Sequence, residues 1–156
     1  MRETRLAPEY GSLIEAAKEA AGHAYAPYSG FGVGAAVLGG SGAVHVGCNV
    51  ESGAYPAGVC AERVAVGAAV AAGEERLAAV AVAGRWAGLQ TLVPCGICLQ
   101  LLVEFGLELT VVSKQRGRWI AQPLDALLPM AFTLPEGVAP GPRAPLGRPT
   151  PQSEES

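Results

Sequence analysis

Four cysteines and one glutamate carry the clearest chemistry in this sequence. Cys60 is followed two positions later by Glu62, and Cys95 and Cys98 lie three positions apart directly after Pro94. A Cys-x-Glu triplet or a Cys-x-x-Cys pair is weak evidence alone, but together they supply the residue types of a metal site. Three thiolates with an open fourth position are typical of catalytic zinc. The spacing therefore predicts that Cys60, Cys95 and Cys98 bind one Zn²⁺ ion.

Glu62 and Arg63 are the candidates for proton transfer and for charge compensation at that site. A zinc ion with an open position lowers the pKa of water towards about 7. A carboxylate two residues from a ligand can accept a proton from that water and deliver it to a substrate nitrogen, so Glu62 is the predicted catalytic residue. Three thiolates give the site a net negative charge, and hydrogen bonds from Arg63 to sulfur would offset it. A position on the helix surface is the alternative for Arg63.

Cys48 offers a different interpretation of the cysteine set. As a fourth ligand it would close the site into a structural Cys₄ zinc module with no catalysis. Cys48 instead ends a predicted strand, away from both helix starts, which favours a buried and inert thiol. A disulfide framework needs an oxidising compartment, and residues 1–10 lack the apolar segment of an export signal. The sequence therefore predicts a cytoplasmic protein with reduced cysteines.

The hydrophobic pattern predicts the helices and strands that position these residues. The predicted helices cover residues 10–24, 60–72 and 95–105, with a short fourth helix at 123–128. The predicted strands cover residues 33–38, 43–48, 77–83, 109–113 and 118–121. Cys60 and Cys95 open the second and third helices, where the partial positive charge of a helix N-terminus favours thiolates. The second helix is apolar on nearly every side, which predicts that it is buried.

Strands that alternate with helices indicate an α/β fold, and the pattern predicts a three-layer α/β/α sandwich around a mixed five-stranded sheet. The length of 156 residues and a hydrophobic content of 50% fit one domain. Six of the 12 prolines lie in residues 135–156. We therefore expect a domain at 1–134 followed by a Pro-rich, disordered tail at 135–156.

The charge and hydrophobic patterns indicate whether nucleic acid or a membrane is an expected partner. The formal net charge is −3, and no dense Lys/Arg face is present to neutralise phosphates, so nucleic acid is not an expected partner. Uncharged apolar stretches such as residues 64–73 are far shorter than the roughly 20 residues that span a bilayer. A membrane partner is therefore not expected either.

Further motifs occur in a fixed order between about Tyr10 and Phe132. They are YAPYSGFGVGAA at 25–36, GCNVE at 47–51, YP at 55–56, CAER at 60–63, PCGIC at 94–98 with Gln100, and LLP at 127–129 followed by Phe132. Taken together, these motifs resemble the small zinc-dependent cytidine deaminases whose three metal ligands are all cysteine. The resemblance implies a cytidine deaminase-like fold, Zn²⁺ on the three cysteines, Glu62 as the proton carrier and a homotetramer.

The resemblance also implies where a nucleoside binds. Asn49 and Glu51 match a pair that bonds the ribose hydroxyls, and their spacing of two at a strand end turns both side chains to one side. From the residues alone, Glu51 would be a loop charge and Phe31 a core residue. The resemblance also implies that Phe31 lies beside the pyrimidine and that Tyr55 lies near the sugar. It implies that the backbone N–H of Ala61 bonds the pyrimidine carbonyl and that Phe132 enters a neighbouring subunit's pocket.

The activity that the resemblance implies is hydrolytic deamination of cytidine and 2′-deoxycytidine to the uridines, with release of ammonia, as in pyrimidine salvage. Blasticidin S or a related aminated nucleoside is the alternative substrate, which a pair built to bond ribose hydroxyls disfavours. Two positions depart from the family. Leu99 replaces the usual arginine after the last cysteine, which could have bonded across subunits, and Val93 replaces the usual serine before Pro94.

Overall fold

The structure, a computed structural model, describes residues 6–134 and builds them around one sheet. The helices are α1 (Pro8–Ala21), α2 (Ala61–Ala71) and α3 (Gly96–Val103), with short 3-10 helices at Tyr55–Ala57 and Leu124–Ala126. The strands are β1 (Gly32–Gly39), β2 (Val44–Cys48), β3 (Leu77–Arg85), β4 (Thr110–Gln115) and β5 (Arg118–Pro123). Each helix and strand predicted from the sequence is present, with ends shifted by at most three residues. The expected tail at 135–156 lies outside the described residues, so the domain boundary stays a prediction.

The sheet is mixed, as predicted. Its strand order is β2-β1-β3-β4-β5. Strands β3 and β4 run parallel, whereas the other neighbouring pairs are antiparallel. Parallel neighbours need a crossover connection, and α3 lies in the chain between β3 and β4. This crossover carries Cys95 and Cys98.

Strand β3 explains why helices cover both faces of the sheet. Val80 packs in a cluster with residues of α2 and α3, whereas Ala79 and Ala81 pack in a second cluster with residues of α1. Successive strand side chains point to opposite faces, so a strand that is apolar throughout must be covered on both. The predicted three-layer α/β/α sandwich is therefore confirmed.

Gly34 sets the distance between β1 and α1. A Cβ atom at this position would lie 2.0 Å from the carbonyl oxygen of Ala17 and 2.2 Å from the nitrogen of Ala21. Backbone atoms cannot move away from a new Cβ atom as the end of a flexible side chain can. Gly34→Ala should therefore lower the free energy of unfolding by about 3 kcal/mol or more, which is the upper end of the effects of overpacking.

The matched control for this prediction is Gly11→Ala on the exposed side of α1, where an added Cβ would meet nothing within 4 Å. It should raise the free energy of unfolding by about 0.5–1 kcal/mol, because alanine favours a helix more than glycine does. Urea unfolding measures both variants. Equal effects would contradict the close approach of α1 to β1.

The helices are short. The longest, α1, has 14 residues, whereas a transmembrane helix needs about 20. Accordingly, none of the helices between residues 6 and 134 is long and apolar enough to cross a membrane.

Helix α2 is not buried on every side, contrary to the expectation from its apolar sequence. Ala61, Ala65 and Ala69 face the core, but Arg63 and Gly67 are exposed, as are the neighbouring Ala68 and Ala71. Alanine and glycine add little apolar surface, so the exposure of this side costs little in water. Small residues also leave it flat enough for another protein surface to pack closely against it.

Candidate metal centre and active site

Three sulfur atoms meet where the N-termini of α2 and α3 approach each other. Cys60 is the N-cap residue of α2, Cys95 is the N-cap residue of α3, and Cys98 lies in the first turn of α3. Their Sγ atoms all lie within 4.8 Å of one another. The distance is 3.8 Å between Cys60 and Cys95, and 3.5 Å between Cys95 and Cys98. The structure thus brings together the three cysteines that the spacing predicts as ligands.

These separations fit a zinc ion. With Zn–S bonds of about 2.3 Å, a tetrahedral site places two sulfur ligands about 3.8 Å apart. Thiolates are also soft ligands of the kind that zinc accepts. Cys48 is not a member of the group, and no other His, Cys, Asp or Glu among residues 6–134 joins it. The group therefore supplies three ligands and leaves a fourth tetrahedral position without a protein ligand.

The three thiols differ in pKa. Burial raises the pKa of Cys98, and the nearby negative charge of Glu62 adds to the effect. Burial also raises the pKa of Cys60, with a further contribution from the charge of Cys95. Burial opposes ionisation of Cys95 too, but the nearby backbone N–H and thiol of Cys98 outweigh it and lower the pKa of this thiol. A bound cation would favour the thiolate at all three positions, since metal coordination deprotonates a thiol.

The Glu62 side chain is buried close to the sulfur group. It lies in the first turn of α2 and is only 4% exposed. Burial raises the pKa of Glu62 above its ordinary value, although its own backbone N–H and the Cys98 thiol partly oppose this. A carboxyl group with a raised pKa accepts a proton more readily than an ordinary carboxylate, as a residue that carries protons must. This position suits the proton-transfer role that the sequence predicts for Glu62.

Gly47 allows the N-terminal end of α2 to lie directly on β2. A Cβ atom at Gly47 would lie 2.4 Å from the nitrogen of Ala65 and 2.7 Å from the carbonyl oxygen of Ala61. Ala61 itself is fully buried, between Cys60 and Glu62 in the chain. The backbone N–H of Ala61, the predicted contact to the pyrimidine carbonyl, lies at the same end of the helix as the sulfur group, because Ala61 directly follows Cys60.

Glu51 lies beyond the end of β2 and contacts the loop before β1. Its Oε2 atom accepts hydrogen bonds from the backbone N–H groups of Tyr28, at 2.9 Å, and Ser29, at 3.2 Å. Its Oε1 atom accepts a short hydrogen bond from the Ser29 hydroxyl. The Ser29 hydroxyl and the Tyr28 N–H lower the pKa of Glu51 and outweigh the opposing effect of desolvation. Glu51 is therefore held as a carboxylate, the form that accepts hydrogen bonds from sugar hydroxyls.

Asn49 contacts the same stretch of chain. Its Oδ1 atom accepts a hydrogen bond of 2.8 Å from the backbone N–H of Val33, and its Nδ2 atom donates one of 2.9 Å to the carbonyl oxygen of Phe31. Asn49 and Glu51 thus both form hydrogen bonds with residues 28–33. A carboxamide has two N–H donors and two acceptor lone pairs, so Asn49 keeps one of each for a ligand.

A cavity of about 390 Å³ opens between the loop that precedes β1 and the loop that follows β2. Its lining residues are Tyr28, Ser29, Glu51, Ser52, Tyr55 and Gly58. The rings of Tyr28 and Tyr55 meet edge to face, with centroids 6.3 Å apart. The volume lies within the range of small-molecule sites. The cavity joins Glu51 and Tyr55, two of the three residues that the resemblance places near the sugar; Asn49 and the sulfur group are not part of its wall.

Trp86 contacts the predicted site residue Phe31 and was not itself predicted from the sequence. It directly follows β3, and its ring meets Phe31 edge to face, with centroids 5.8 Å apart. Trp86 is exposed and Phe31 is half-buried. The only signal in the sequence is a large aromatic immediately after a strand end, which hydrophobic periodicity does not detect.

Phe132 and Arg63 lie at the surface of this chain. The ring of Phe132 is 66% exposed, while its backbone N–H and carbonyl oxygen both bond the side-chain amide of Gln100, at 3.1 and 2.8 Å. Arg63 is exposed and has no hydrogen bond to the three sulfurs in the part of the chain that the structure describes. Its role in charge compensation stays a prediction. Leu99, at the position of the family's usual arginine, packs in the core.

Comparisons with known proteins agree with this geometry. A family model for the cytidine and deoxycytidylate deaminase zinc-binding region matches residues 9–114. A cytidine deaminase of Mycobacterium tuberculosis (strain H37Rv) is 42% identical over 127 residues, which cover 81% of this chain and 91% of that protein. A cytidine deaminase of Sporosarcina psychrophila is 39% identical over 123 residues, 78% of this chain and 89% of that one.

The fold comparison points the same way. The crystal structure of a cytidine deaminase from Burkholderia pseudomallei superposes with a TM-score of 0.72 and 45% sequence identity. The match covers 79% of this chain and 98% of that chain. The family model, the identities and the shared fold agree with three sulfurs grouped beside a buried carboxylate. This chain therefore belongs to the cytidine deaminase family.

Proposed function

We propose that this protein hydrolyses cytidine and 2′-deoxycytidine to uridine and 2′-deoxyuridine with release of ammonia. The observation that carries the proposal is the buried Glu62 carboxyl beside three sulfurs spaced to hold one zinc ion. Membership of the cytidine deaminase family supports the same reaction. Three protein ligands, rather than four, favour a catalytic centre over a structural zinc module.

Glu62 carries the protons in this mechanism. Cys60, Cys95 and Cys98 would hold the zinc ion, which would supply Lewis acidity and lower the pKa of water towards about 7. Glu62 accepts a proton from the attacking water and delivers it to N3 of the ring as the new C–O bond forms at C4. A second proton passes through Glu62 to the amino group, the C–N bond breaks, and ammonia leaves. One water is consumed for each ammonia released, and burial keeps solvent from competing for the Glu62 proton.

The nucleoside is held by residues at both ends. Asn49 and Glu51 bond the ribose hydroxyls, Tyr55 lies near the sugar, and Phe31 packs beside the pyrimidine with Trp86 behind it. The backbone N–H of Ala61 donates to the pyrimidine carbonyl. The free hydrogen-bonding capacity of Asn49 and the ionised state of Glu51 support this assignment.

The assembly we propose is a homotetramer. Its support is a set of apolar side chains that stand in water in the single chain: Met130 is 92% exposed, Ile97 69% and Phe132 66%. The exposed Ala/Gly side of α2 adds a flat surface of the same kind. Exposed apolar patches mark interaction sites. We assign Phe132, whose backbone is held by Gln100, to the pocket of a neighbouring subunit.

We place the reaction in pyrimidine salvage in the cytoplasm. All four cysteines are free thiols, and a reducing compartment keeps them available to a metal. The uridine product is a pyrimidine nucleoside that the cell can reuse, and ammonia is the second product.

A nucleoside panel tests the proposed function. Ammonia release is measured from the zinc-loaded protein with cytidine, 2′-deoxycytidine, cytosine and blasticidin S. Both nucleosides should react, and kcat/KM for cytosine should be at least about 100-fold lower, because cytosine lacks the sugar that Asn49 and Glu51 bond. A preference for blasticidin S would reassign the substrate. Absence of ammonia from all four compounds, with zinc bound, would favour the structural module.

A further inference from the structure

We propose that Ser29 is a positioning residue for the sugar: its hydroxyl orients the Glu51 carboxylate towards the ribose and joins it to the backbone of Phe31. The inference rests on the proposed function and goes beyond it, because it assigns the geometry of the sugar site to a residue that does not itself need to touch the sugar.

The direction of these hydrogen bonds follows from which groups can donate a proton. The Glu51 carboxylate only accepts hydrogen bonds, so the Ser29 hydroxyl must spend its one proton on Glu51 Oε1. The same Ser29 oxygen then accepts the backbone N–H of Phe31, at 3.0 Å. Ser29 thus links the carboxylate of the sugar site to the residue that packs beside the base.

The two oxygens of Glu51 are not equivalent. Oε2 accepts two backbone N–H groups, from Tyr28 and Ser29, and so uses both of its lone pairs. Oε1 accepts only the Ser29 hydroxyl and keeps one lone pair. Both residues line the 390 Å³ cavity. The free lone pair of Oε1 is therefore the acceptor available to a sugar hydroxyl, and Ser29 determines the direction in which it points.

Phe31 is fixed from both sides by this arrangement. Ser29 holds its backbone nitrogen, and Asn49 holds its carbonyl oxygen. Glu51, Ser29, Phe31 and Asn49 form one continuous hydrogen-bonded network. Ser29 is exposed, and a hydroxyl in water loses little when a protein partner is removed. The network therefore orients groups for a ligand and adds little to the stability of the fold.

The experiment compares Ser29→Ala with Ser29→Thr, using cytidine and 2′,3′-dideoxycytidine, which lacks the 2′- and 3′-hydroxyls of the ribose. Ser29→Ala should raise KM for cytidine about tenfold, because Glu51 then loses the contact that orients it towards the ribose, and should change kcat by less than about twofold. KM for 2′,3′-dideoxycytidine should change by less than about twofold. Ser29→Thr, which keeps the hydroxyl, should restore the cytidine value.

Two controls separate the possible outcomes. Ser12→Ala, at an exposed position on α1, removes a hydroxyl far along the chain from the site and should change neither substrate's KM. Calorimetry measures binding of uridine and 2′,3′-dideoxyuridine, so the inference is also tested without turnover. Equal losses for the two sugars, an unchanged KM for cytidine, or failure of Ser29→Thr to restore it would overturn the role of Ser29. The proposed function alone would be overturned if Ser29→Ala weakens uridine binding while the zinc-loaded wild-type protein releases no ammonia.

Discussion

A Glu62→Gln variant should keep its zinc and lose about 10²–10⁴-fold in kcat for cytidine, the usual contribution of a general acid–base group. Glutamine has the same shape but cannot accept and return a proton. The replacement leaves no cavity at this buried position, so the fold and the three sulfurs should stay in place. Ammonia release gives kcat, and the zinc content per chain is measured on the same sample.

The matched control is Glu19→Gln on the exposed surface of α1, which makes the same charge change away from the site. It should keep full activity and full zinc. A Glu62→Gln protein that retains more than a tenth of the wild-type kcat would remove Glu62 from the mechanism. Loss of zinc from that variant would instead make Glu62 part of the metal site.

Replacement of Cys95 by alanine should abolish both zinc binding and activity. Loss of groups that merely support metal ligands already costs about 10–100-fold in metal affinity, and loss of one of only three ligands should exceed that. Cys95 is exposed, so its truncation disturbs the core less than truncation of the buried Cys98 would. Zinc content after dialysis and ammonia release from cytidine are the two readouts.

Cys48→Ala provides the comparison for this prediction. Cys48 is half-buried at the end of β2 and stands outside the sulfur group, so the variant should keep its zinc and its activity. Zinc loss from Cys48→Ala would establish a fourth sulfur ligand and support a closed structural site. Zinc retention by Cys95→Ala would contradict the three-cysteine centre.

The metal site was predictable because its signals are local. Cys95 and Cys98 share the first turn of a helix, and Cys60 opens another, so each piece is visible within a few residues. The apolar run of β3 likewise predicted a strand covered on both faces, and it lies between β1 and β4. Local patterns do not show that the two helix starts meet, which depends on the crossover from β3 to β4.

Other features depend on contacts that no local pattern encodes. The Asn49 amide bonds Phe31 and Val33, more than ten positions earlier, because the β1–β2 register brings them side by side. Trp86 meets Phe31 for a similar reason, since the end of β3 pairs with the start of β1. The exposed side of α2 was missed because alanine and glycine suit a core and a contact surface equally well.

X-ray absorption at the zinc edge of the wild-type protein tests the central claim most directly. A site formed by Cys60, Cys95 and Cys98 predicts three sulfur neighbours at about 2.3 Å and one oxygen or nitrogen neighbour at about 2.0–2.2 Å. Four sulfur neighbours at about 2.3 Å would mean that a fourth cysteine closes the site. That result would contradict hydrolysis at this centre.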